Sequence, residues 1–369
     1  MKRIAHLFVI PVLLLCTLSV AARPLHDPAE AGGFADGDWE AMGAGLPGSV
    51  SGLAVYNGEL VAVGGFSTES GAPADRIARW TGSAWAPFPG GGADSGISEI
   101  IVFRDGLIVA GRFDTIGGVV ANGLARWNGS QWSALSGNLF LSVDALAVYR
   151  DELIVTGNSA ATDARQNIAK WNGTSWSSLG DGLEDSAAAL GVHDGSLYAA
   201  SHLPWPNLDE GIWRWDGSTW SIFEDQLDDT IYALGSHAGQ LVAAGWFSSI
   251  GGINANHIAA WNGSAWTPLG GGLGNGLSNQ RVDVFATYNG GLWAGGYFEL
   301  AGGGPASHVA YWNGATWTSP GAGADQPVLA LATHAGGIIA GGSFETMDGD
   351  PVHFIARWQS DPVFHSGFD

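Results

Sequence analysis

Acidic side chains crowd one stretch of this sequence, where Asp181, Glu184, Asp185, Asp209, Glu210, Glu224, Asp225, Asp228 and Asp229 follow one another with few cations between them. Carboxylates in such numbers can attract a basic protein segment or a cation, or serve as general acid and base on a sugar polymer. Trp205 stands inside the stretch between Pro204 and Pro206. A ring held rigid by its neighbours loses little entropy when a partner covers it. Trp205, Asp209, Glu210, Asp228 and Asp229 are therefore the candidate binding residues. The plainer account of the same residues is solvated acid beside a loop packed by prolines.

Histidine and cysteine bound the metal chemistry. Cys16 is the only cysteine. His193 and His237 occupy one recurring position shared with Tyr56, Phe103, Tyr149, Tyr288 and His334. They could hold a metal with a third ligand, or simply replace an aromatic ring in a packed place. No pair shows close metal-ligand spacing, so the metal question stays open. No cofactor is expected, calcium being the one cation the acidic surface suggests. His257, His308 and His353 recur at another shared place and invite the same caution.

The net charge of −21 makes nucleic acid and anionic membranes poor partners. Residues 1–22 read as a secretory leader: Lys2 and Arg3, an apolar run to Val20, then Ala21 and Ala22 before Arg23. The run is short for a bilayer span and Pro11 interrupts it, so no membrane span is expected once the leader is cut. This implies a secreted chain, extracellular, periplasmic or on a cell surface. Residues 23–36 read as a linker and 361–369 as a tail, either a sorting tag or a frayed end.

The elements that must carry these groups are written in a repeat. Trp-x-Gly-x-x-Trp occurs at Trp80 to Trp85, Trp127 to Trp132, Trp171 to Trp176, Trp215 to Trp220, Trp261 to Trp266 and Trp312 to Trp317. The spacing, about 45 residues, fits propeller blades of four strands. Within each unit, alternating apolar stretches are joined by tight turns such as Asn57-Gly58 and Asn128-Gly129, where both residue types tolerate positive φ. The paired tryptophans fall on one face and are expected to pack on the next blade rather than to form a carbohydrate platform. The array starts with a lone fourth strand around Trp39 and stops after a third strand ending at Trp358. The fragments complete each other, which predicts an all-β, seven-bladed β-propeller over residues 37–360, its ring closed by the N-terminal strand. A monomer is expected.

Gly64-Gly65-Phe66, Ile77-Ala78-Arg79-Trp80 and the tryptophan hairpins resemble kelch-like, galactose-oxidase-like repeats of secreted bacterial propellers, and are similar to fungal cortical polarity-marker repeats. The likeness runs from Trp39 to Trp358 and implies a fold, not an activity. Galactose oxidase builds a copper cofactor on a cysteine-modified tyrosine, which a chain cut after Ala22 cannot make. Trp215-Asp216-Gly217-Ser218-Thr219-Trp220 resembles a sialidase turn. Those enzymes also need an arginine cluster, and Arg79, Arg126, Lys170, Arg214 and Arg357 instead fill one repeated structural position. Asn128, Asn172 and Asn262 match glycosylation sequons but sit in hairpin turns.

The strand-two-to-three and blade-to-blade connections should share one face. The expected function is a secreted or surface-exposed binding or scaffold module whose long-loop face takes a protein, glycan or cation. The alternative is an extracellular polysaccharide hydrolase or lyase using carboxylates at the channel mouth.

Overall fold

A computed structural model describes residues 37–67, 76–135, 139–159, 167–201, 211–275 and 279–360. The described strands form seven four-stranded antiparallel sheets. In the first blade the strands are Val50–Tyr56, Glu59–Gly64, Ile77–Trp80 and Trp85–Pro87, in chain order across the sheet. The first strands of blades two to seven are Ile97–Phe103, Ala145–Tyr149, Ala187–His193, Ile231–His237, Arg281–Tyr288 and Val328–His334. Each first strand touches the next, and the seventh touches the first. These strands thus line a central channel, and the chain is a seven-bladed β-propeller.

Closure follows the fragments expected from the sequence. Gly37–Ala41 pairs antiparallel with Ile355–Ser360, setting Trp39 opposite Trp358 and Glu40 opposite Arg357. The seventh sheet therefore joins the two ends of the array and leaves no open edge between last blade and first.

The core is a set of seams. Seven clusters of buried side chains lie among the described residues, one between each pair of neighbouring blades. Phe66, Phe113, Phe247, Phe298 and Phe344, each following the glycines that end a second strand, are fully buried there. Each such ring contributes about 2 to 3 kcal/mol by leaving water.

The paired tryptophans bind the seams as well. Within six hairpins the two rings lie 5.3 to 5.7 Å apart. The second ring reaches back to the preceding blade: Trp176 Nε1 donates to Leu135 O at 2.7 Å, Trp220 to Leu179 at 3.0 Å and Trp317 to Leu269 at 2.7 Å. Trp39 repeats the contact across the closure, donating to Pro320 O at 2.9 Å. This is the neighbour-blade packing the repeat implied.

The hairpin turns differ from the sequence expectation in one detail. Asn57 and Gly58 both take positive φ, 51° and 82°, but in the tryptophan hairpin only Gly129 does, at 97°. Asn128 acts through its side chain instead, its Oδ1 accepting the backbone N–H groups of Ser130 and Gln131 at 2.9 Å. Asn172, Asp216, Asn262 and Asn313 do the same. A four-residue loop leaves N–H groups that this side-chain turn satisfies.

On the opposite side, the blade-to-blade loops meet the connections between second and third strands. Four of those connections fold into short hairpins, at Thr115–Ile116 with Val119–Val120, Ser249–Ile250 with Ile253–Asn254, Leu300–Ala301 with Gly304–Pro305, and Thr346–Met347 with Asp350–Pro351. Bridges such as Ala93 to Ile116 and Ala324 to Met347 tie the incoming loop to them. The long connections thus share one face.

Candidate functional site

Most polar side chains singled out by the sequence serve the ring itself. His193 Nδ1 hydrogen-bonds Ser236 Oγ of the next blade at 2.7 Å, and His237 Nδ1 reaches Thr287 Oγ1 at 3.0 Å. At the same place Tyr56, Tyr149 and Tyr288 donate to Asp105 O, Gly195 O and Gly336 O in the blade that follows. The histidines therefore replace aromatic rings as ties between blades. Among the described residues no three His, Asp or Glu side chains converge to hold a metal ion. His257 and His308 take φ of 73° and 67° immediately before third strands, where Arg76, Asn167 and Phe354 also adopt positive φ, while His353, at 51°, stands one residue earlier, in register with Asn256. The recurrence belongs to the backbone there.

The repeated basic position is likewise used inside each blade. Arg79 pairs with Glu59 at 2.9 Å, Arg126 with Asp105 at 2.5 Å and Lys170 with Glu152 at 2.8 Å, while Arg214 donates to Ser196 Oγ and Arg357 to Ala335 O. Asp216 of the sialidase-like turn accepts from Ser218 and Thr219, and these bonds lower its carboxyl to about 2.

Of the five candidate binding residues, Trp205, Asp209 and Glu210 lie outside the described residues. Asp228 accepts at 2.9 Å from the backbone N–H groups of both Ser248 and Ser249, and also from the Ser248 hydroxyl. Asp94 holds Asp114 and Thr115 in the same way, and Asp325 holds Glu345 and Thr346. An aspartate three residues before the first strand thus caps the long connection of its own blade in three blades. Around Asp94 burial would raise the carboxyl, but the bonds from Thr115 and Asp114 outweigh it and the net shift is downward. Asp229 accepts from the Thr230 N–H at 2.7 Å and adds its charge to the surroundings of Tyr232.

Side chains that do not follow the repeat lie at the long-loop mouth of the channel. In six blades the first strand carries a bulge near its start, after the first residue in five and after the second, Val282, in the sixth blade. With the corresponding place in the third blade, the residues there are Ser51, Ser98, Asp144, Ala188, Tyr232, Asp283 and Leu329. The backbone repeats and the chemistry does not. A bulge re-aims a side chain without disturbing the strand beyond it, so this position is free to vary.

Two polar groupings result. Glu99 follows the bulge of the second blade and is partly buried. Loss of hydration pushes its carboxyl up to about 7, and the charge of Asp144 in the next blade adds to the rise. No hydrogen bond from the described residues offsets that cost. Across the mouth, Arg281 Nε donates to Asp283 Oδ1 at 2.7 Å, while the other carboxylate oxygen is buried without a partner. Burial raises the Asp283 carboxyl, against the lowering effect of Arg281. The Arg281 guanidinium lies 6.0 Å from the Trp246 ring centre, and burial raises the Tyr232 hydroxyl beside it. The mouth thus offers a protonatable acid, a carboxylate, a phenol and an arginine. The sequence reading missed Glu99, Asp144, Tyr232, Arg281 and Asp283. For Asp144, Tyr232 and Asp283 the signal was present as non-repetition at one column of seven aligned first strands.

Comparison with known proteins agrees on architecture alone. A family described as a domain of unknown function (DUF5122) beta-propeller matches residues 239–259, from the second strand of the fifth blade to its third. No curated protein sequence matches the chain. Among solved structures, the computationally designed Ika8 protein has a TM-score of 0.52 at 14% identity, covering 86% of this chain and 99% of its own. YCF48 from Cyanidioschyzon merolae has 0.50 at 12%, covering 87% and 98%. The WD40 beta propeller domain of Doa1 has 0.54 at 12%, covering 88% and 98%. At these identities the likeness is one of fold, and the fold is a β-propeller.

Proposed function

We propose that the chain is a secreted or surface-exposed binding or scaffold module, a monomeric kelch-like propeller of the secreted bacterial type that takes a protein or glycan partner at its long-loop face. The observation that carries this reading is the contrast between geometry and chemistry at the first-strand bulges. At this position Ser51 and Ser98 serve the ring by donating to Ile97 O and Ala110 O, whereas Tyr232 and Asp283 place bulkier polar groups there that the repeat does not call for. In this reading residues 1–22 are the leader, 23–36 a linker, 37–360 the propeller and 361–369 a tail. Trp205, Asp209 and Glu210 remain candidate binding residues in this reading, and a calcium ion would bind only with ligands from the partner or from the remaining loops. The test is a glycan array and a protein pull-down with the chain beginning at Arg23, each repeated with Tyr232→Phe and Asp283→Asn. Binding retained by both variants would move the site away from the mouth.

A second reading is favoured by Glu99. A carboxyl raised to about 7 beside the carboxylate of Asp144 is suited to giving and taking a proton near neutrality. That is the acid–base pair a polysaccharide hydrolase or lyase needs. Reducing-end release from a panel of extracellular polysaccharides, abolished by Glu99→Gln, would make the chain an enzyme. No release from any of them would leave the binding module.

A further inference from the structure

On the short-turn face the first-to-second-strand turn of one blade faces the tryptophan hairpin of the next, and a groove runs between them at three junctions. Two of these grooves are filled by the chain's own arginines. Arg104, at the turn of the second blade, lies 4.9 Å over the Phe103 ring and pairs with Asp151 at 2.9 Å. Its guanidinium occupies the space a side chain on Gly173 would take. Arg150, at the same turn of the third blade, lies 4.9 Å over Tyr149, reaches Gly195 O at 3.5 Å, and comes within 3.0 Å of where a Cβ on Gly217 would stand.

Asn57, Asp194, Ala238, Asn289 and Ala335 hold the arginine's place at the other five junctions, and the junction between the seventh blade and the first opens into a cleft. Ala335 holds the place of Arg104 and Arg150, His334 that of Phe103 and Tyr149, and Gly82 that of Gly173 and Gly217. A cleft of about 320 Å³ opens there, lined by these three residues with Glu40, Trp80 and Arg357. Ala335 has φ of 47°, close to the 55° and 49° of the two arginines, so the backbone frame is unchanged. We infer that this cleft is a binding site for a guanidinium group, the side chain of an arginine on a partner protein, entering where two other junctions hold an arginine of their own.

The charges suit such a guest. Arg126 and Lys170 flank the two filled grooves and are paired with Asp105 and Glu152, so a second cation is tolerated beside the first. Arg357 has glycines in the places of those acids, and Glu40, its cross-strand neighbour, brings the carboxylate from the closing strand instead. The Arg357 guanidinium is turned onto Ala335 O at 2.6 Å. Burial, then Arg357, holds the His334 ring below its usual range, so at neutral pH the guest meets an uncharged ring, as the arginines do over Phe103 and Tyr149. The net charge of −21 favours the approach of cations. This site is independent of the long-loop face.

The test uses N-acetyl-arginine amide and its uncharged citrulline analogue as probes, titrated into the chain beginning at Arg23 and followed by NMR and calorimetry. Binding of the arginine probe is expected on the order of millimolar, from one stacked ring and one exposed ion pair, with at least tenfold less for citrulline. Ala335→Arg should fill the cleft and abolish binding while the chain stays folded. Glu40→Gln should weaken binding about two- to fivefold, and Val120→Ala, exposed on the other face, should leave it unchanged. Equal binding of the two probes, full binding to Ala335→Arg, or none to the wild type would overturn the inference. An Ala335→Arg chain that cannot fold would also count against it, since the equivalence of the three grooves would then fail.

Discussion

Glu99 gives the sharpest test of the channel mouth, because its cost should appear and vanish with pH. In the unfolded chain a glutamate ionises near its ordinary value of 4.5, whereas in the ring the carboxyl has been pushed up to about 7. The folded protein therefore binds the proton more tightly than the unfolded one, and this group weakens the fold as pH rises from about 4.5 through 7. At 1.36 kcal/mol per pKa unit the full penalty is about 3 kcal/mol, reached near pH 8, against about 1 kcal/mol at pH 5. Glu99→Gln removes the ionisation and keeps the shape. The variant should gain about 2 kcal/mol more stability over wild type at pH 8 than at pH 5. Urea unfolding at the two pH values measures this directly, with the carbon-13 shift of the labelled carboxyl as an independent reading of the titration. An equal effect of the substitution at both values, or a carboxyl that titrates near 4.5, would refute the desolvated placement of Glu99 beside Asp144.

Other perturbations separate ring from site. Trp127→Ala should cost about 3 to 5 kcal/mol in urea unfolding, because the ring is buried against Phe88 and Trp132. Deleting residues 23–43 removes the strand that completes the seventh blade, and should give aggregation on size exclusion or a collapse of the melting temperature; a monomeric chain of unchanged melting temperature would contradict closure. Asp228→Ala should lose about 1 to 2 kcal/mol, since the carboxylate holds Ser248 and Ser249, while leaving partner affinity at the mouth unaltered. Tyr149→Phe should cost about 1 kcal/mol through loss of its bond to Gly195, and no change in stability would mean the inter-blade tie is idle.

The fold could be read from the sequence because a propeller writes each demand seven times. Trp80 or Trp127 alone is an aromatic residue of uncertain use, but the recurrence of the pair fixes both its hairpin and its seam. The same logic shows a structural use of Asp228 that its neighbours in the sequence conceal. Seen beside Asp229 it looks like surface acid, yet its three-residue offset from Ile231 matches Asp94 before Ile97 and Asp325 before Val328. The repeat held that information, in a column where only three blades carry the aspartate. Glu99 was illegible for the opposite reason. It is a single acid in an apolar strand, and only the bulge at Ser98, set by pairing with the second strand, brings it beside Asp144 of the next blade.

Contacts between blades were the hardest to foresee, since residues about 45 positions apart become neighbours only when the ring assembles. His193 is answered by Ser236 and His237 by Thr287, so a histidine ending one first strand goes with a hydroxyl just before the end of the next. Where the tie is tyrosine, the longer side chain passes that position and reaches the following turn, as Tyr149 does at Gly195. Val102, opposite Tyr56, and Val192, opposite Tyr149, can then stand where a hydroxyl would otherwise be needed. His334 breaks the rule, because the residue that should answer it is Val55. This is the junction where Ala335 leaves its groove open, and where the closing strand supplies Glu40. The unanswered histidine, together with the carboxylate that the closing strand brings to the cleft, distinguishes that seam physically from the one after His237, where Ala238 also follows the histidine but Thr287 answers it. The His334 seam is also where the N-terminal strand joins the last blade, so a guest arginine held there would stabilise closure as it binds.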